Sequence, residues 1–196
     1  MRVTDISLGE PDAVLIVDVQ ADFLPGGRLA VPEGDAVVPV LNGYLALARR
    51  KGLRVFASRD WHPARHCSFK AHGGPWPEHC VAGTPGAAFA PGLELPADVV
   101  IISKATQEQA DAYSAFEGTD LAAQLRGIGV KRLLIGGLAT DYCVRETVRG
   151  ALAEGFEVLL LEDAIRAVNV KPGDGERAER EIQCAGAIGV RLEDCA

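Results

Sequence analysis

The chemistry available to this chain concentrates in a few residues. Cys143 falls in GGLATDYCV, Gly136 to Val144, just after the apolar run Arg132 to Gly136 and at the start of an amphipathic stretch predicted as a helix from Tyr142 to Glu154. A thiol in the first turn of a helix meets unpaired backbone N–H groups and the positive end of the dipole, and both favour thiolate. The same N–H groups suit an oxyanion forming beside the sulfur, so one turn offers attack and charge stabilisation together. The competing reading is a small buried cysteine that closes a strand. Asp18 follows LIV and Lys104 follows VVIIS. A carboxylate so placed can take a thiol proton and later hand it to a leaving amine, while a lysine steadies the ionised groups. An ion pair that merely tidies two strand ends is the alternative.

All four histidines, His62, His66, His72 and His79, follow closely on Asp60. Asp60 and His62 are two apart, so in an extended segment their side chains share one side and can hold one cation, with His79 returning from the loop. A carboxylate with two imidazoles suits zinc, iron or manganese and leaves positions for water and a ligand. The alternative is a polar loop with ordinary hydrogen bonds, to which His72, flanked by alanine and glycines, belongs. His66 is either a further ligand or a support for one. Asp22, Phe23 and the Pro25-Gly26-Gly27 turn follow Asp18 and offer a pocket wall. Trp76 and Tyr113 are aromatic candidates for the same pocket, against the plain alternative of packing.

Something must bring these residues together. Short apolar runs (Val14 to Val17, Leu53 to Ser58, Val99 to Ser103, Arg132 to Gly136, Glu157 to Leu161) alternate with helical patterns over Ala36 to Lys51, Asp120 to Gly129 and Tyr142 to Glu154. Glu176 to Ile188 reads as a last helix and Val190 to Leu192 as an edge strand. Continuous Val/Ile/Leu strands separated by helices predict a three-layer α/β/α fold, with a mostly parallel central sheet and one domain over 1–196. The long irregular stretch from Asp60 to Pro96 carries Pro63, Pro75, Pro77, Pro85, Pro91 and Pro96. Loops of that length are usually functional. In open parallel sheets sites form outside the carboxyl ends of the strands, and Asp18, Asp60, Lys104 and Cys143 all fall at such ends.

Composition narrows the field. With 48% hydrophobic residues in 196 positions there is apolar surface enough for a core without staples. Lys plus Arg number 20 against 27 Asp plus Glu, a net charge of −7, with no basic cluster to track a phosphate backbone. Neither nucleic acid nor a membrane is expected as a partner, because no apolar run is long enough to span a bilayer and the first residues lack a leader pattern. The five cysteines, Cys67, Cys80, Cys143, Cys184 and Cys195, are odd in number and scattered. Reduced thiols and a cytoplasmic location are the expectation.

Taken together, DVQADFLPGGRLAV at Asp18, RDWHPARHCSF at Arg59, GPWPEHCVAGTPGA at Gly74, ISK ending at Lys104, AYSAFEG at Ala112 and GLATDYCV at Gly137 resemble the nicotinamidase (pyrazinamidase) branch of the isochorismatase-like cysteine hydrolases. The resemblance covers nearly the whole chain. It implies Cys143 as nucleophile, Asp18 as general base and acid, and Lys104 as their electrostatic partner. It also implies one divalent metal ion on Asp60, His62 and His79, holding the ring nitrogen of nicotinamide. By the same carry-over Leu138–Ala139 is a cis peptide, the N–H groups of Ala139 and Cys143 form an oxyanion hole, and Phe23, Leu29, Trp76 and Tyr113 line the ring pocket. The implied reaction hydrolyses nicotinamide and pyrazinamide through a thioester, in NAD salvage. Self-association into a homo-oligomer stays open. The rivals are a carbamoyl or ureido amidohydrolase of the same superfamily, for which the metal cluster has no purpose, and a catalytically silent binding module, which would have lost one of Asp18, Lys104 or Cys143.

Overall fold

The computed structural model describes residues 6–195. Six strands form one parallel sheet: β1 (Asp12–Val17), β2 (Arg54–Asp60), β3 (Val100–Lys104), β4 (Arg132–Leu138), β5 (Glu157–Arg166) and β6 (Ile188–Val190), in the order β3-β2-β1-β4-β5-β6. Four helices connect them: α1 (Val37–Lys51), α2 (Leu121–Gly127), α3 (Arg145–Ala153) and α4 (Asp174–Cys184). The chain runs outward from β1 in one direction and, after β3, returns to β4 and runs outward in the other. The order therefore reverses between β1 and β4, where an open α/β sheet leaves a crevice.

Alternation along the central strand divides the core in two. Val14 and Ile16 face α1, joining Leu41, Tyr44 and Leu45, whereas Ala13, Leu15 and Val17 face Leu121, Leu125 and Val148 of α2 and α3. All six β1 residues are buried, which is why that strand reads as a continuous apolar run. Each fully buried Leu or Ile contributes roughly 1.5–3 kcal/mol by leaving water. Helix α1 ends at Gly52, whose φ of +68° closes the last turn, with Arg49, Arg50 and Lys51 beside the negative end of the dipole.

Four elements depart most from the sequence expectation. The stretch predicted as one helix from Tyr142 is a five-residue π turn, Thr140–Val144, followed by α3, so Cys143 precedes the regular helix. Strand β5 continues five residues beyond Leu161, through Glu162 and Asp163, because Ile165 and Arg166 pair with Gly137 and Leu138 beyond an irregularity in the ladder. The last helix is Asp174–Cys184 and the edge strand is Ile188–Val190, each earlier than its periodicity suggests. Among the described residues no helix is long and apolar enough to cross a membrane.

The proline-rich stretch after β2 is ordered by backbone pairing. His62 N–H donates to Cys80 O at 3.0 Å and Ala82 N–H to His62 O at 2.8 Å, which lays the segment of His79 beside that of His62. Trp76 N–H to Ser68 O at 3.0 Å and Lys70 N–H to Trp76 O at 2.7 Å form a parallel bridge that ties down the loop between them.

Candidate active site

Asp18 is the first residue beyond β1 and is buried, with a left-handed φ of +48°. Ser58 Oγ donates to Asp18 Oδ1 at 2.7 Å, and Asp18 N–H donates to Ser58 O at 3.2 Å, so β2 holds both its backbone and one carboxylate oxygen. The other oxygen, Oδ2, has no hydrogen bond and lies 3.0 Å from Lys104 Nζ. Close approach at this level demands glycine opposite: a Cβ on Gly137, where φ is +130°, would lie 2.1 Å from Val17 O.

Lys104, the last residue of β3, is the hub. Its ammonium also meets Asp60 Oδ1 in a short contact, donates to Ala112 O at 3.1 Å and reaches Cys143 Sγ at 3.5 Å. One carboxylate oxygen each of Asp18 and Asp60 and the sulfur of Cys143 lie within 4.8 Å of one another around it. Burial works against the charge of Lys104, but Asp18 and Asp60 more than offset it and hold the ammonium well above its usual range. The two carboxylates diverge. Burial raises Asp18, only partly countered by Lys104, so it is an unusually basic carboxylate. Burial also acts on Asp60, but Lys104 and His62 together pull it below the usual range, so it stays ionised. Such divergence separates a proton carrier from a fixed charge.

The thiol departs from the expectation of a helix terminus. Burial pushes Cys143 well above the ordinary range; Lys104 opposes this while Asp18 and Asp60 reinforce it. Desolvation and two carboxylates dominate here, because Cys143 is buried beside Asp18 and Asp60. A thiol so placed needs a base nearby to ionise it, and a carboxylate oxygen of Asp18 lies within 4.8 Å of the sulfur.

On the other side of Asp60, oxygen and nitrogen atoms of Asp60, His62 and His79 lie within 4.8 Å of one another, all three buried. His79 Nδ1 lies 2.8 Å from Pro77 O, which only accepts, so Nε2 keeps its lone pair. His62 Nε2 is 3.6 Å from Asp60 Oδ2, and His62 Nδ1 is one of the two buried side-chain oxygens or nitrogens without a partner among the described residues, the other being Asp18 Oδ2. A carboxylate and two imidazoles with unused lone pairs fit a divalent cation. Burial lowers His79, which favours the neutral ring that binds metal. His66 stands apart from this group: its Nε2 donates to Ala110 O at 3.1 Å, and its Nδ1 accepts from Ser68 Oγ at 2.7 Å. With both nitrogens engaged it stacks on His62, ring centroids 4.2 Å apart, as a supporting wall. His72 is exposed in a short 3-10 turn.

A pocket joins the two groups. Phe23, Leu29, Trp76 and Tyr113 line it, together with Asp60, His62, His79, Ala139 and Cys143. The Leu138–Ala139 peptide is cis. Trp76 Nε1 donates to Tyr113 Oη at 2.9 Å, and both rings meet Tyr142, at 5.1 and 5.8 Å between centroids.

Several residues of this site escape the sequence reading. Val31, Ser68, Asp111, Ala112, Tyr142 and Val168 also line the pocket. Tyr142 adjoins Cys143 and was discoverable from that alone, whereas Val168 lies 25 residues further on (168 − 143) and carries no local signal. Gln20 clamps Asp60: its Oε1 accepts Asp60 N–H and its Nε2 donates to Asp60 O, both at 2.8 Å. Asp22 is a loop anchor and not a pocket wall, since its Oδ2 accepts Cys80 N–H at 2.7 Å and fixes the residue after His79.

The isochorismatase-domain model matches residues 12–185. Nicotinamidase of Escherichia coli K12 is 40% identical over 94% of this chain and 96% of its own length. Among solved structures, the pyrazinamidase of Pyrococcus horikoshii in complex with zinc is 54% identical, with a TM-score of 0.89 over 92% of this chain and 99% of that one. PnC1 from L. infantum in complex with nicotinate is 38% identical, with a TM-score of 0.88 over 100% of this chain and 99% of that one.

Proposed function

The chain belongs to the isochorismatase-domain family, and from that membership we propose that it is a nicotinamidase, converting nicotinamide, and pyrazinamide with it, to the carboxylic acid and ammonia through a thioester on Cys143. The observation that carries this reading is that Cys143 and the Asp60–His62–His79 group open onto one aromatic-lined pocket, while Asp18 and Lys104 stand behind the sulfur. A planar ring amide is the substrate that uses both ends.

Each residue then has a task. Phe23, Leu29, Trp76 and Tyr113 enclose the ring and exclude water from it. Asp18 Oδ2, lacking a hydrogen bond, takes the thiol proton as the sulfur attacks the carboxamide carbon. The N–H groups of Ala139 and Cys143 receive the charge that grows on the carbonyl oxygen. As the C–N bond breaks, Asp18 returns its proton to the departing ammonia. Water then gives a proton to Asp18 and attacks the thioester; the C–S bond breaks and the sulfur recovers the proton. Lys104 stays charged throughout and keeps Asp18 in place.

Asp60, His62 and His79 would hold a divalent ion, zinc, iron or manganese, which when bound grips the pyridine nitrogen. In the cell the reaction serves NAD salvage, since it frees the pyridine carboxylate.

The deciding experiment is ammonia release from nicotinamide, pyrazinamide and a ureido compound, with and without removal of metal. Turnover of the two ring amides supports the assignment. Preference for the ureido compound moves the chain to a carbamoyl amidohydrolase, and silence toward all three makes it a binding module.

A further inference from the structure

Asp141 lies two residues before the nucleophile and is 4% exposed. A carboxylate removed from water to that degree must have both oxygens satisfied. Here the donors are backbone groups from far along the chain: Val168 N–H to Oδ1 at 2.9 Å and Asn169 N–H to Oδ2 at 2.8 Å. Both belong to the segment between β5 and α4, which has no regular structure from 167 to 173. Asn169 holds a left-handed φ of +53°, and its Oδ1 accepts Gly175 N–H at 2.9 Å in the first turn of α4.

Val168 is the part of this segment that faces the pocket, where it packs in the same cluster as Phe23, Leu29 and Val31. The wall it forms has no strand or helix to set its position. Its backbone is held to the nucleophile turn by the carboxylate of Asp141, through charge-assisted hydrogen bonds.

We propose that Asp141 is a positioning residue that ties the Val168 wall of the pocket to the turn bearing Cys143, and so sets how closely the ring is held beside the sulfur. This rests on the amidase reading given above. The clamp acts on ground-state fit and contributes nothing to the proton transfers, so its loss affects KM before kcat.

The test uses Asp141→Asn, which keeps the shape but turns an amide donor toward a backbone donor. By NMR, amide exchange at Val168 and Asn169 should be at least about tenfold faster in the variant, with Leu134 and Ile135 in β4 unchanged. With nicotinamide, KM should rise about tenfold, the factor equivalent to about 1.4 kcal/mol, while kcat per folded site stays within about twofold. Val168→Ala should raise KM similarly, and the double variant should be no worse than the worse single one. Where Asp141→Asn does not fold, Val168→Ala and Val168→Thr carry the kinetic arm and Asp141→Ser the exchange arm. Unchanged exchange at both amides overturns the clamp. Faster exchange with unchanged KM, a fall confined to kcat, or additive effects in the double variant overturn its role in the pocket. Failure of the wild-type protein to release ammonia from nicotinamide would instead refute the amidase reading, and the exchange arm would still decide the clamp.

Discussion

One ammonium serves two buried carboxylates, and their inequality organises the chemistry. Asp60 takes the shorter contact with Lys104 and is adjoined by His62, so it stays charged, while the Oδ2 of Asp18 meets Lys104 at 3.0 Å and burial leaves that carboxylate with a raised proton affinity. Asp18→Asn retains the shape without the proton, and kcat should fall by at least about a thousandfold, within the range of general acid–base catalysis. Steady-state kinetics on a variant with an unchanged melting curve checks this; retention of most of the wild-type kcat would relocate the base. Cys143→Ala should leave only background hydrolysis, whereas Cys67→Ala should not. The proposed ligand set of Asp60, His62 and His79 divides the histidines in the same way. His79→Ala should abolish binding of the expected one ion per chain, and His72→Ala should leave the metal content, by elemental analysis of the purified protein, unchanged. The types and spacing of Asp18, Asp60, His62, His79, Lys104 and Cys143 were readable in the sequence. The case of His66 was not, because its two nitrogens are spent on Ser68 and on the distant carbonyl of Ala110.

At the scale of elements, strand ends and loops share the work. The strands deliver Asp18, Asp60 and Lys104 to one level, and the β1–β4 approach at that level tolerates no side chain at Gly137. Gly137→Ala joins a forced contact to an unfavourable φ and should cost about 3 kcal/mol. For a chain of this size that lowers Tm by roughly 6–12 °C, measurable by calorimetry. The loop ends depend on outer contacts. Asp22 fixes the residue after His79, and Gly86 leaves room for its carboxylate, since a Cβ there would lie 2.2 Å from Asp22 Oδ2. Asp22→Ala should therefore weaken metal affinity about 10–100-fold while the Cys143 thiol remains available to alkylation. Competition with a chelator of known affinity measures the first quantity. Helix and strand periods located these elements, but the π turn and the extension of β5 were invisible to them. The extension follows from pairing with β4, a contact that no local pattern records.

The whole molecule places its site at the reversal of strand order, where β1 and β4 lie side by side and their connections leave on opposite faces. The pocket there is lined by the sulfur of Cys143 and, as its second end, by Asp60, His62 and His79, a group that could hold a metal ion. Benzamide matches nicotinamide in size and carboxamide but lacks the ring nitrogen. Its kcat/KM should be lower by at least about a thousandfold, more than a missing methylene in an apolar pocket would account for. Equal values for the two amides would show that the second end does not select the substrate. The sequence by itself determined the α/β class and the parallel sheet and singled out the residues proposed to carry chemistry, because strand period, strand-end position and residue type are local properties. Only the tertiary structure decided that Asp18 and Asp60 share one lysine with opposite outcomes, that Cys143 is a buried thiol beside two carboxylates, and that Asp141 reaches Val168 and Asn169. Proton affinity and wall position depend on burial and on neighbours brought from distant parts of the chain, and no spacing along one segment records them.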